Sequence, residues 1–274
     1  MIHEHNFDTS TVVINWGEGP QPGPPLLLLH GISMWWRTFT PVLPHLCARF
    51  HVHAVDFRGH GRSGRVPKGY RWEEYVRDTV EFMRRVIGEP AYVVGHSLGA
   101  MVAIQICAVA SDLIRAVVLE DPPLYGYRGD RLKMRPNYKL FVSWLSLAQQ
   151  QLPMAELEAR LSELQPELDA RVLRLRAESL RLLDPDVLAM YVDGIAAQTY
   201  ETDQYLPAVA CPVLILRGDP ALGGAMEDAD ELRAKSLLKQ CTVRRVTGVG
   251  HGIHPYQPEL YQRLVTDHFE TNSA

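Results

Sequence analysis

This chain has few cysteines, no long apolar run, no excess of basic charge and no internal repeat, and each absence narrows what it can be. Its four cysteines, Cys47, Cys107, Cys211 and Cys241, lie far apart in sequence and lack C-x-x-C spacing. That pattern argues against a disulfide framework or a zinc site and suits free thiols in a reducing compartment. No stretch approaches the roughly 18 apolar residues needed to span a bilayer, so no membrane association is expected. The first residues, Met1-Ile2-His3-Glu4-His5-Asn6, hold no basic stretch followed by an apolar one. No secretory signal is therefore expected, and a cytoplasmic location is. A net charge of −4 argues against a dedicated nucleic-acid binder. Basic residues are scattered, apart from a cluster at Arg128, Arg131, Lys133, Arg135 and Lys139. That cluster reads as a solvated helix face in preference to a patch that attracts a substrate carboxylate.

Short apolar runs alternate with helical patterns. Thr11–Ile14, Leu26–Leu29, His51–Val55, Ala91–Val94, Ala116–Leu119, Val213–Leu216 and Thr242–Val246 read as strands. Trp72–Val86 and Ser97–Ala110 read as helices. Continuous apolar strands separated by helices imply an α/β class with a mostly parallel sheet covered on both faces. The stretch from about 122 to 205 differs, being rich in Leu, Arg, Glu and Ala and poor in β-branched runs. Leu157, Leu161, Leu164, Leu168, Val172 and Leu175 recur every three or four residues, as on a helix face. The expected division is a core of residues 1–121 and 206–274 with an inserted helical cap of 122–205. The leucine stripe suits packing within the cap, with a homodimer seam as the alternative.

The chemistry centres on Gly95-His96-Ser97-Leu98-Gly99. This is G-x-S-x-G between a strand-like and a helix-like run. A serine on so tight a turn has its hydroxyl lifted clear of the backbone. The following helix aims its N-terminus at the site, where developing negative charge is favoured. A serine hydroxyl needs a base, and the base needs an orienting acid. The base is expected to be His251, in the glycine-rich loop Thr247-Gly248-Val249-Gly250-His251-Gly252; His254 is the competitor. The oxyanion donors are expected to be the amides of Leu98 and Ile32. His30 is read as orienting the Ile32 loop.

His30-Gly31, Asp56-Phe57-Arg58-Gly59-His60-Gly61-Arg62-Ser63, Gly95-His96-Ser97-Leu98-Gly99 and Gly250-His251 follow one another in the order found in the α/β-hydrolase fold superfamily. The chain resembles a capped serine hydrolase of that superfamily, esterase- or lactonase-like and related to carbon–carbon bond hydrolases. The resemblance covers essentially the whole chain. It implies an eight-stranded, mostly parallel sheet with helices on both faces, a Ser–His–acid triad, and neither metal nor cofactor. It also implies that Arg58–Gly64 is a structural loop near the site.

The acid departs from the pattern the resemblance implies. Most of the family places it as G-x-x-D after the strand that follows the cap, but here Ala221 occupies that place in Gly218-Asp219-Pro220-Ala221. A minority carries it after the preceding strand, which here reads Glu120-Asp121-Pro122. Asp121 is the preferred acid. Asp219 is the alternative, and Glu120 or an acid within Glu227–Asp230 remains behind them.

The substrate is expected to be a small molecule bound between sheet and cap. Trp35, Trp36, Tyr125 and Trp144 are the candidate contacts. The leading function is hydrolysis of a carboxylic ester or lactone through an acyl-enzyme on Ser97. The alternatives are a carbon–carbon bond hydrolase of meta-cleavage type and a small-molecule receptor on a retained hydrolase fold.

Overall fold

The computed structural model describes residues 2–127, 129–135 and 137–273. Eight strands form one sheet: β1 His3–Asp8, β2 Val13–Glu18, β3 Pro25–Leu29, β4 His51–Val55, β5 Ala91–His96, β6 Ile114–Glu120, β7 Val213–Arg217 and β8 Cys241–Arg245. Their order across the sheet is β1-β2-β4-β3-β5-β6-β7-β8. The β1 and β2 strands run antiparallel at one edge, and β4 to β8 are joined in parallel through β3.

The central strands are apolar at every position because both faces are covered. Alternate residues enter different cores. Leu27, Leu29, Val93, Val117, Leu119 and Ile215 face one core. Leu26, Leu28, Val94, Val118, Leu214 and Leu216 face the other. The first core packs beneath the helices Trp72–Phe82 and Leu98–Val109; the second packs on the C-terminal helix Pro258–Thr271 through Tyr261, Val265 and Phe269. Leu26 to Leu29 are fully buried. Burial on this scale stabilises by roughly 1.5–3 kcal/mol per side chain.

One strand has no counterpart in the sequence reading. The first strand was expected at Thr11–Ile14, whereas the chain builds a hairpin of β1 and β2 around it. Thr9 closes the turn, its hydroxyl donating to the Val12 carbonyl and accepting from the Val12 amide. His3–Asp8 is polar and largely exposed, as suits an edge strand, so no apolar run announces it.

Between β6 and β7 the chain forms helices at Gly129–Met134, Tyr138–Gln150, Met154–Leu164, Ala170–Leu182, Pro185–Val192 and Thr202–Tyr205. The leucine stripe does not run along one helix. It breaks after Leu164, where Pro166 interrupts the pattern, and resumes at Ala170. Leu157 and Leu161 are buried, Leu164 is exposed, and Leu168 and Val172 face a cleft described below. Arg131 of the basic cluster is exposed, with Asp230 3.8 Å away; Arg128 lies outside the described residues. No disulfide joins the described cysteines, although the fold brings Cys107 and Cys211 to 3.7 Å. No described helix is long and apolar enough to cross a membrane.

Candidate active site

Parallel strands of such a sheet present their C-terminal ends as a row, and loops there converge. Ser97 is the residue after β5 and the cap of the helix Leu98–Val109. Its backbone sits at φ 52°, ψ −111°, a left-handed conformation rare for a side-chain-bearing residue. Two glycines make the turn feasible. A Cβ on Gly95 would lie 2.4 Å from the Gly99 carbonyl oxygen, and one on Gly99 would lie 2.1 Å from that of Leu29. The Ser97 amide donates to the Glu120 carbonyl at 3.0 Å, fixing the turn to the neighbouring strand.

Asp121 is the residue after β6 and is fully buried, with φ 43°. Its carboxylate is held from three sides. The Gly218 amide donates to Oδ1 at 3.1 Å and the Ala225 amide donates to Oδ2 at 2.6 Å. His251 Nδ1 lies 2.7 Å from Oδ2. Two of these donors come from the loop after β7, where most of the family places the acid itself. Asp219 instead turns back on its own loop and accepts from the Ala221 amide at 2.9 Å. Glu227 and Asp230 form a reciprocal cap on the helix Asp228–Leu237. Neither the alternative acid Asp219 nor that acidic pair is hydrogen-bonded to His251 among the described residues.

Glu120 is used differently. Fully buried, it accepts from the amides of Ile253 and His254 at 2.7 and 3.0 Å, and His254 Nδ1 lies 2.8 Å from Oε2. Burial disfavours its charge, but the facing His254 and His96 and the bonds from His254 prevail and hold its pKa below the usual carboxylate range. His254 Nε2 meets the Thr38 hydroxyl at 3.1 Å. The competitor base is thus locked in a buried pair, and the carboxylate of Glu120 anchors the loop that carries His251.

A cleft of about 480 Å³ opens between the strand ends and the helices inserted between β6 and β7. Ser97, Ile32 and His251 line it, and Leu98 follows Ser97 at the start of its helix. His30 is buried, its Nε2 accepting from the Phe57 amide at 3.0 Å and its Nδ1 donating to the Gly31 carbonyl at 2.7 Å. It ties the Ile32 loop to the loop after β4. That second loop is closed on Asp56, which accepts from the amides of Trp36 and Arg62. His96 packs beside His251, its Nε2 3.0 Å from the His251 carbonyl, and burial holds its pKa at about 3.

Of the four aromatic contacts expected, the cleft uses Trp144 alone. Trp35 and Trp36 are buried in the opposite core, with the Arg37 guanidinium over both rings. Adjacent residues on a turning loop point apart, so Met34 reaches the cleft and the two tryptophans do not. Tyr125 directs its hydroxyl to Asp203 at 2.6 Å and does not line the cleft. Sequence reasoning missed Arg176, on the helix Ala170–Leu182. Its guanidinium enters the cleft, lies 4.2 Å from the Trp144 ring centroid and donates to the Ser33 hydroxyl at 3.2 Å. Among the described residues it has no carboxylate partner, its Nε meets no acceptor, and burial pulls its pKa down to about 10. One more arginine in an Arg-rich helix carries no sequence signal; only the packing of that helix against the Ser33 loop reveals it.

The comparisons with known proteins agree with this architecture. The model of the alpha/beta hydrolase family matches residues 26–263. A 2-(acetamidomethylene)succinate hydrolase of Mesorhizobium japonicum is 31% identical over 256 residues, covering 89% of this chain and 87% of the relative. The crystal structure of an E-2-(acetamidomethylene)succinate hydrolase superposes with a TM-score of 0.79 at 25% identity, over 98% of this chain and all of that one. The N-formylmaleamic acid deformylase of Pseudomonas putida S16 shares the fold, with a TM-score of 0.80 at 24% identity over 96% of this chain and all of that one. With that match across most of its length and its serine at the strand-to-helix turn, the chain belongs to the alpha/beta hydrolase family.

Proposed function

We propose that the chain is a serine hydrolase that cleaves an acyl bond, ester or amide, in a small substrate bearing a carboxylate. One observation carries the reading: Ser97 and the Asp121-bound His251 open onto a single cleft. The Asp121 carboxylate holds Nδ1–H of His251, which leaves Nε2 as the base. His251 takes the Ser97 proton as Oγ attacks the substrate carbonyl. The amides of Ile32 and Leu98 receive the negative charge of the tetrahedral intermediate, each worth roughly 3–4 kcal/mol of barrier. His251 then gives the proton to the departing oxygen or nitrogen, and the acyl group stays on Ser97. A water molecule, deprotonated by His251, releases it as a carboxylate and restores the serine.

The carboxylate enters the reading through Arg176. Glu167 lines the same cleft, but among the described residues no carboxylate pairs with the Arg176 guanidinium, which therefore favours an anionic ligand. The relative at 31% identity is named for a substrate with an acetamido group on a succinate, which combines an amide with carboxylates. The test is a panel of matched pairs, p-nitrophenyl esters and anilides of acetate and of hemisuccinate. Turnover of the hemisuccinate members in preference to the acetates supports the reading. Turnover of neither, with a vinylogous diketone cleaved instead, replaces it with carbon–carbon bond hydrolysis. A folded chain that turns over none of these and takes up no fluorophosphonate supports the alternative of a small-molecule receptor.

A further inference from the structure

Away from the catalytic cleft, three strands bring imidazoles and a carboxylate together at the opposite end of the sheet. Glu18 ends β2, and its register partner on β4 is His53. His51 opens β4, two residues earlier, so the pleat turns it to the same face. His5 comes from β1, opposite Trp16, and shares that face. The contacts converge on one carboxylate. His51 Nε2 lies 2.9 Å from Glu18 Oε1, and His5 Nε2 lies 3.1 Å from Oε2. The His51 and His53 ring centroids are 4.1 Å apart.

His53 is the anomaly. It is 2% exposed, stacked on Trp16, and neither ring nitrogen has a hydrogen-bond partner among the described residues. An imidazole left without partners in a buried position forfeits roughly 1–3 kcal/mol per unsatisfied group. The sheet interior gives no compensation for it. An ion on its lone pair would give one of the two nitrogens a partner.

We propose that Glu18, His51 and His53 form a binding site for one divalent transition-metal ion of the Zn²⁺ type, which fastens the edge hairpin to the parallel strands. One donor atom from each lies within 4.8 Å of the others. Donors around a tetrahedral Zn²⁺ sit about 3.3 Å apart, given Zn–N bonds of about 2.0–2.1 Å, so the three atoms must draw together by up to about 1.5 Å. Two imidazoles and a carboxylate suit Zn²⁺ or Co²⁺ and not Mg²⁺ or Ca²⁺, which require all-oxygen sites. His5 holds the second oxygen of Glu18 and orients it, as partners of metal ligands commonly do. Glu18 and His51 are partly exposed, which gives the ion a route from solvent. The cysteine spacing pointed away from zinc, but these donors are imidazoles that only the sheet assembles. His51 begins its strand while Ser97 follows the end of a parallel one, so the ion is structural and takes no part in hydrolysis.

The experiment uses the full chain stripped with a chelator and titrated with Zn²⁺, read by native mass spectrometry and calorimetry, with Co²⁺ absorption as the geometry readout. One Zn²⁺ per chain with a Kd at or below the micromolar range is expected, together with a tetrahedral Co²⁺ spectrum. The thermal midpoint should rise by about 5 °C at a hundredfold excess over Kd. His51→Gln and Glu18→Gln should each weaken binding at least tenfold, whereas His45→Gln, at a half-buried position beside Thr266 and outside the cluster, should not. The half-exposed pair keeps the test valid if a His53→Gln protein fails to fold. Absence of stoichiometric binding, or binding that survives both substitutions, overturns the proposal.

Discussion

Glu120 and Asp121 are neighbours in sequence, yet their carboxylates face two different histidines of one loop, Glu120 meeting His254 at 2.8 Å and Asp121 meeting His251 at 2.7 Å. The end of β6 places one side chain on each side of the strand, so two adjacent acids serve separate partners. The buried Glu120–His254 pair fixes the loop, and the partly exposed His251 is left facing the cleft. This division of labour makes the site testable one residue at a time.

Asp121→Asn should lower kcat by about 10⁴, because the amide cannot hold the Nδ1–H tautomer of His251. Asp219→Asn should leave kcat within about threefold and reduce stability by about 1 kcal/mol or less through a weakened turn cap. Steady-state rates on a p-nitrophenyl ester rank the two. The reverse order would move the acid to the loop after β7.

Glu120→Gln should destabilise the fold by about 3–5 kcal/mol, since it removes the charge from a buried pair. Urea unfolding measures it. A loss below about 1 kcal/mol would show that the pair does not anchor the His251 loop.

Stability should fall steeply in mild acid. Burial holds the pKa of His60 at about 4 and of His96 at about 3, that of His30 well below the ordinary value and that of His268 below it. Below pH 6.5 the unfolded chain binds protons that these folded histidines refuse, so the stability they leave intact at neutral pH is lost as pH drops towards 4. Each contributes a slope of up to about 1.4 kcal/mol per pH unit. Glu120 has a lowered pKa, so its contribution is complete above about pH 4.3 and disappears as pH falls through its folded value. Asp56, which burial pushes up to about 6, and Asp78, which burial also raises, oppose the trend, but they are two groups against four. The urea midpoint should be clearly lower at pH 5 than at pH 7; an equal or higher midpoint would contradict this.

Arg176→Gln should reduce kcat/KM for a hemisuccinate ester by about ten- to a hundredfold relative to the matching acetate ester, the loss expected for a charged hydrogen bond of about 1.5–3 kcal/mol. Competitive rates on the pair give the ratio directly. An unaltered ratio would remove Arg176 from substrate recognition.

Much of this arrangement is legible in the sequence because it is local. G-x-S-x-G is a turn whose glycines answer contacts within a few ångströms, and Leu26–Leu29 declares a doubly covered strand by itself. Asp121 stands out in the sequence only through the absence of an acid at Ala221, and the fold sets it 2.7 Å from His251. What escaped depends on distant packing. Polar β1 is a strand because β2 lies beside it. Trp35 and Trp36 turn into the core because Asp56 holds the Trp36 amide and Arg37 covers both rings. Arg176 reaches the cleft because the helix Ala170–Leu182 lies beside Ser33.

The central claim is that the Ser97 hydroxyl attacks the substrate, and peptide mass spectrometry after reaction with a fluorophosphonate tests it most directly. The adduct should appear on the peptide containing Ser97 at one equivalent per chain, and Ser97→Ala should abolish both labelling and ester turnover, with kcat down by about 10⁶. A folded wild-type protein that stays unlabelled, or carries the adduct on another residue, would contradict the account.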